Sequence, residues 1–98
     1  MKVEFHPDAE VEFIEASSYY DSRVPGLGGK FLSELEVLAE AISRQAKVGA
    51  PVDHIRRKAL FRRFPYSVIY TIEDTRIWVL AVAHQRRRPG YWKLRDTR

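Results

Sequence analysis

Seven consecutive apolar residues, Ile77, Trp78, Val79, Leu80, Ala81, Val82 and Ala83, place the strongest constraint on what this chain can fold into. The run is far shorter than the ~20 residues a membrane-spanning helix needs. It is β-branched, aromatic and free of polar alternation, which predicts a strand buried on both faces and central in a sheet. Such a strand needs hydrogen-bonding neighbours along its edges and a layer over each face, and the rest of the sequence has to supply them.

The neighbours are legible on the N-terminal side. Tyr66, Ser67, Val68, Ile69, Tyr70, Thr71 and Ile72 form a second strand-like run, joined to the first by the polar turn Glu73, Asp74, Thr75 and Arg76. From Arg56 to Phe64, basic and apolar side chains alternate loosely, a third strand. Val3, Glu4 and Phe5 read as a short opening strand.

The covering layer comes from two helices. Pro7 suits a first helical turn, where its missing N–H costs nothing. Ala9, Phe13, Ala16 and Tyr20 then recur at steps of four, three and four, with Glu10, Glu12 and Glu15 off the stripe and Val11 and Ile14 widening it. Pro25, Gly26, Gly28 and Gly29 mark a break. Leu27, Phe31, Leu35, Leu38 and Ile42 define a second helix, ending between Gln45 and Val48, before a loop from Gly49 to Asp53. So short a break predicts an antiparallel helical hairpin. Because helices and strands segregate, the fold class is α+β: a short N-terminal strand, then a helical hairpin on one face of a mainly antiparallel four-stranded sheet, then a short C-terminal tail containing Tyr91, Trp92, Lys93, Leu94 and Arg95.

At 98 residues, with no linker or repeat, the chain reads as one domain over 1–98. It has no cysteine, which excludes a disulfide framework, a thiolate metal site and a cysteine nucleophile. The first residues lack the apolar run of a signal peptide, so secretion and membrane insertion are not expected and a cytoplasmic location is.

Charge is unevenly distributed. Residues 1–55 carry five Lys or Arg against ten carboxylates, a net of −5; residues 56–98 carry twelve against three, a net of +9. Such a basic half is the electrostatic mark of a polyanion or an acidic partner, unless the two halves neutralise each other within the fold. Mutual neutralisation explains Arg57 or Lys58 well enough, and these can also serve as edge charges that discourage sheet-to-sheet pairing. It explains less well why Arg86, Arg87 and Arg88 are adjacent.

No phosphate-binding glycine loop or helical histidine pair occurs. His6, His54 and His84 are widely spaced, so neither a metal nor a cofactor is expected. The cluster that can carry chemistry is His84, Arg86, Arg87, Arg88, Tyr91 and Trp92, with Arg62 and Arg63 from a neighbouring strand. Arginine forks suit phosphate oxygens or acidic protein surfaces. With His84 as the residue that titrates near neutrality, the same set could also cleave RNA without a metal. The structural alternatives are a strand-end His84 satisfied by the backbone, and Tyr91 and Trp92 folded back as an apolar plug.

The element order, Phe64-Pro65-Tyr66-Ser67-Val68-Ile69-Tyr70, and the segment from Val79 through His84-Gln85-Arg86-Arg87-Arg88-Pro89-Gly90-Tyr91-Trp92 resemble the RelE/ParE superfamily of type II toxin–antitoxin toxins. Phe5, Pro7 and Ala9, and the segment from Leu27 to Leu35, match as well. The resemblance implies a growth inhibitor neutralised by a cognate antitoxin, reaching operator DNA only through the antitoxin complex, and a target that is either DNA gyrase or the ribosome with its mRNA. For a RelE-like endoribonuclease it implies catalysis by His84, Arg86 and Tyr91. For either target it implies contacts from Arg57, Lys58, Arg62, Arg63, Arg86, Arg87, Arg88, Trp92, Lys93 and Arg95. RelE-like nucleases often place an arginine directly after the tyrosine that opens the third strand, whereas here Ser67 follows Tyr66. That vacancy favours a ParE-like gyrase poison, with a detoxified antitoxin-binding relative as a further alternative. An apolar groove beside the hairpin and the basic half together predict an acidic amphipathic antitoxin segment.

Overall fold

The computed structural model describes residues 1–96. Its elements run β1 (Lys2–Phe5), α1 (Pro7–Arg23), α2 (Leu27–Arg44), a 3₁₀ turn (Ala46–Val48), β2 (Ala50–Pro51), β3 (Arg56–Leu60), β4 (Tyr66–Ile72), β5 (Arg76–His84) and a C-terminal 3₁₀ turn (Lys93–Asp96). The strands form one sheet in the order β1-β5-β4-β3-β2. It has five strands rather than the four expected, because Ala50 and Pro51 pair with Lys58 and Arg57 inside the segment read as a loop. The sheet is also mixed: β1 runs parallel to β5, while the other pairings are antiparallel.

As its composition demands, β5 has a neighbour on each side and a layer on each face. Ile77 and Val79 face the helices, and so does Val82, while Leu80, Ala81 and Ala83 face away. The change of phase is a β-bulge: Ile69 pairs with Ala81 but Tyr70 pairs with Val79, leaving Leu80 as the extra residue. A bulge inserts one residue and so reverses which parity faces the core.

The helix-side core is built around Phe31, which is fully buried. Its ring stacks on Phe61 at 4.8 Å and meets Tyr66 and Phe64 edge-on at 5.0 and 5.1 Å. Truncating such a residue to alanine costs about 3–5 kcal/mol. The hairpin closes tightly at Gly28, where an added Cβ would lie 2.3 Å from the Ser17 carbonyl oxygen. Ala9, Phe13, Ala16 and Tyr20 pack inward as their spacing requires, but Val11 and Ile14 are exposed. At 3.6 residues per turn those two fall about 170° and 130° from the middle of the stripe, and Glu12 within about 70°. The acidic residue is therefore the one that faces the sheet.

Candidate functional site

The register pairs His84, the last residue of β5, with Tyr66, the first of β4. Gln85 donates its backbone N–H to the Pro65 carbonyl at 2.8 Å, so the 61–65 turn and the 85–90 loop lie side by side at one end of the sheet. The structure thus brings Arg62 and Arg63 to the same end as Arg86, Arg87 and Arg88. Glu34 on α2 accepts the backbone N–H groups of both Arg62 and Arg63. This pins the turn against the helix while both side chains remain exposed.

The predicted residues divide into two groups. Arg86, Arg87, Arg88, Arg62, Arg63, Lys58 and Lys93 are exposed, and none pairs with a carboxylate among the described residues. Arg87 instead lays its guanidinium 3.9 Å from the centre of the Tyr91 ring. Arg57, Arg95 and Trp92 are used internally. Arg57 donates to the carbonyls of Gly49 and Lys47 at 2.7 and 3.2 Å, bracing the 3₁₀ turn. Trp92 is buried against Ile69, Leu80, Ala81 and Ala83, the plug that covers the second face of β5.

Arg95 and Tyr91 converge on Glu12, a residue that sequence spacing had set aside. One Glu12 oxygen accepts from Val82 N–H and Arg95 Nη1, both at 2.9 Å. The other accepts from the Tyr91 hydroxyl at 2.6 Å and from Arg95 Nη2 at 2.9 Å. Burial first, then the hydrogen bond to Glu12, pushes the Tyr91 hydroxyl well above the usual tyrosine value. His84 stands edge-on to the Tyr66 ring at 5.0 Å, and its Nδ1 accepts the Arg86 backbone N–H at 3.0 Å. Burial likewise raises Tyr66. Ser67, where a nuclease arginine was looked for, is buried.

Between the 85–93 segment and strands β3 and β4 lies a cleft of about 390 Å³. Leu60, Ile69 and Ala83 contribute apolar surface, and Lys58, Arg87, Arg88 and Lys93 supply positive charge. No Asp or Glu lines it among the described residues. A second, wider groove of about 880 Å³ runs along the hairpin, with Tyr20, Leu27, Val37 and Phe64 beside Lys30 and Arg62. Among the described residues, no group of three or more His, Asp or Glu is placed to hold a metal ion, and no helix is long and apolar enough to cross a membrane.

A helical hairpin over a mixed sheet, with a cationic loop at one end, is the α+β architecture that the resemblance to RelE/ParE-type toxins implied, and the comparisons with known proteins agree with it. The family model for the ParE toxin of type II toxin-antitoxin system, parDE, matches residues 3–89. Among solved structures, the chromosomal ParDE toxin–antitoxin system from P. aeruginosa contains a chain of the same fold. It has a TM-score of 0.74 at 16% identity, covering 86% of this chain and 95% of that one. No curated protein sequence matches. The chain belongs to the ParE toxin family of type II toxin–antitoxin systems, whose toxins are paired with a cognate antitoxin.

Proposed function

We propose that this toxin acts in the cytoplasm by poisoning DNA gyrase, and that it engages its target non-catalytically through Arg86, Arg87 and Arg88 with Arg62, Arg63, Lys58 and Lys93. The observation that carries this reading is the commitment of the candidate acid–base groups to the fold. The Tyr91 hydroxyl is held by Glu12, and His84 Nδ1 by the Arg86 backbone. Transfer of a proton from a ribose hydroxyl and to a leaving oxygen needs two groups free to exchange protons. Cations that hold a partner in place need only exposure and position. The hairpin groove, whose apolar lining is flanked by Lys30, Arg62 and Arg63 against the one carboxylate of Glu34, suits an acidic amphipathic antitoxin segment.

The test is a purified gyrase assay run beside a translating ribosome assay. Wild-type toxin is expected to block supercoiling and to stabilise gyrase–DNA cleavage complexes, with antitoxin reversing both. Replacing Arg86 and Arg88 together by alanine should raise the concentration required by at least tenfold. No effect on gyrase at micromolar toxin, or mRNA cleavage that Arg86→Ala abolishes, would overturn the reading.

A further inference from the structure

The C-terminal tail of this toxin does not rest on apolar contact alone, and the reason lies at the edge of β5. β1 spans four residues and β5 spans nine, with β1 pairing only from Arg76 to Val79. Just beyond, His6 donates its N–H to the Val79 carbonyl and the chain turns into α1. Among the described residues, the edge of β5 past Val79 therefore has no strand to satisfy it on that side, and unpaired backbone groups on a covered edge are costly.

Side chains take the place of the missing strand. Glu12 accepts the Val82 N–H at 2.9 Å, and Arg95 donates to the Leu80 carbonyl at 3.0 Å. Glu12 and Arg95 are also joined to each other by a bidentate pair, and Tyr91 closes on the same carboxylate. Asp8, one helical turn before Glu12, adds its carboxylate 3.7 Å from Arg95 Nε. Glu12 thus receives four hydrogen bonds, two per oxygen, from one strand and two tail residues.

We propose that Glu12 is a positioning residue: it latches residues 91–95 onto the sheet and so fixes the conformation in which the preceding Arg86, Arg87 and Arg88 are presented. The loop is anchored at one end by β5 and at the other by this carboxylate. Arg87 is tied to the latch directly, since its guanidinium lies over the same Tyr91 ring that Glu12 holds. Trp92, next to Tyr91, is carried into its buried site by the same closure. The latch stands on geometry independent of the target; its consequence for toxicity rests on the cationic loop being the target-binding surface.

Glu12→Gln is the decisive variant because it is nearly isosteric. Every partner of Glu12 is a donor in the structure, so an amide nitrogen in place of one oxygen opposes donor to donor. Hydrogen exchange should accelerate at least tenfold in the amides of residues 91–95 in Glu12→Gln and in Arg95→Gln, with little change in β4. The double variant should be less damaging than the two single ones added together, because Glu12 and Arg95 share their bidentate pair while each also holds partners of its own. In ring-labelled tyrosine spectra, Tyr91 should titrate closer to the ordinary tyrosine value in Glu12→Gln. Unaltered tail exchange in both single variants would refute the latch whatever the target. On induction in cells, a readout that does not depend on the target's identity, Glu12→Gln should weaken growth arrest at unchanged protein level. Faster tail exchange with full growth arrest would refute the positioning role, while wild-type growth arrest without any effect on gyrase would instead remove the gyrase reading.

Discussion

Replacing Tyr70 by phenylalanine removes one oxygen atom from a side chain with no exposed surface. The ring keeps its place in the helix-side core, so the packing contribution is unchanged. What is lost is a pair of hydrogen bonds: the hydroxyl donates to the Ala46 carbonyl at 2.6 Å and accepts the Gly49 N–H at 3.0 Å. Each is worth about 1 kcal/mol net, and leaving the buried Gly49 N–H without a partner adds about 1–3 kcal/mol. The Ala46 carbonyl is only partly enclosed and regains water. The expected loss is about 2–4 kcal/mol, a large fraction of the roughly 5–15 kcal/mol that holds a small domain. For a chain of this size that lowers the melting temperature by about 10–25 °C. Urea titration followed by circular dichroism should show a lower midpoint with an unchanged slope, since the surface exposed on unfolding is the same. Tyr66→Phe is the control, because its hydroxyl has no hydrogen-bond partner among the described residues; it should change stability by less than about 0.5 kcal/mol. If Tyr70→Phe were as stable as the wild type within that margin, the hydroxyl would not be what anchors the 3₁₀ turn.

Four further outcomes follow from the same structure. Gly28→Ala should destabilise by about 1–3 kcal/mol in thermal melts, because the new methyl meets the Ser17 carbonyl, whereas Gly29→Ala meets nothing and should stabilise by up to about 1 kcal/mol. Backbone donation from Ile55, with Arg56, holds the Asp53 carboxyl below its ordinary value, and Arg76 with Lys2 does the same for Glu4. Depressed carboxyls contribute stability above the unfolded value near ~4 and lose it as pH falls through the folded one, so the urea midpoint should drop below about pH 4 and Asp53→Asn should flatten that limb. Tyr91, raised in the folded state, acts in the opposite sense: its contribution is present below about pH 10 and is lost as pH climbs further, so Tyr91→Phe should flatten the alkaline limb. Antitoxin association should slow as salt rises, and replacing Arg62 and Arg63 by glutamine should reduce both the rate and its salt dependence; equal slopes in stopped-flow traces would count against the groove.

The periodic parts of the fold could be read directly from sequence. Phe31, Leu35 and Ile42 recur at helical spacing and are buried. The β-branched and aromatic runs became β4 and β5, and the seven unbroken apolar residues of β5 lie in a strand covered on both faces. Strand direction was not legible, since Val3, Glu4 and Phe5 carry the same pattern whether they pair parallel or antiparallel. Ala50–Pro51 is a strand only by its ladder with β3, a tertiary contact that two residues cannot announce. The bulge at Leu80 was invisible for a related reason: in an unbroken apolar run, nothing marks the change of parity. At the site, adjacency exposed Arg86, Arg87 and Arg88, but residue type did not distinguish them from Arg57 and Arg95, which spend their charge inside the molecule. Glu12 was the principal omission. Its angle on α1, between Ala9 and Ala16, was the available signal, and two small residues flanking an acid on the buried side of a helix mark a place where backbone can come close.

The parallel pairing of β1 with β5 bears on when the protein can become harmful to the cell that makes it. β1 must wait for β5, which is made about seventy residues later, since Lys2 pairs with Arg76 and Phe5 with Val79. A nascent chain leaving the ribosome can form its helical hairpin early, but that hairpin has no complete sheet to settle on. Contacts this distant in sequence slow folding and leave greasy surface open in the interval. Manufacture of the poison and its arming are thereby separated in time, and a neutralising partner already present has that interval in which to meet it.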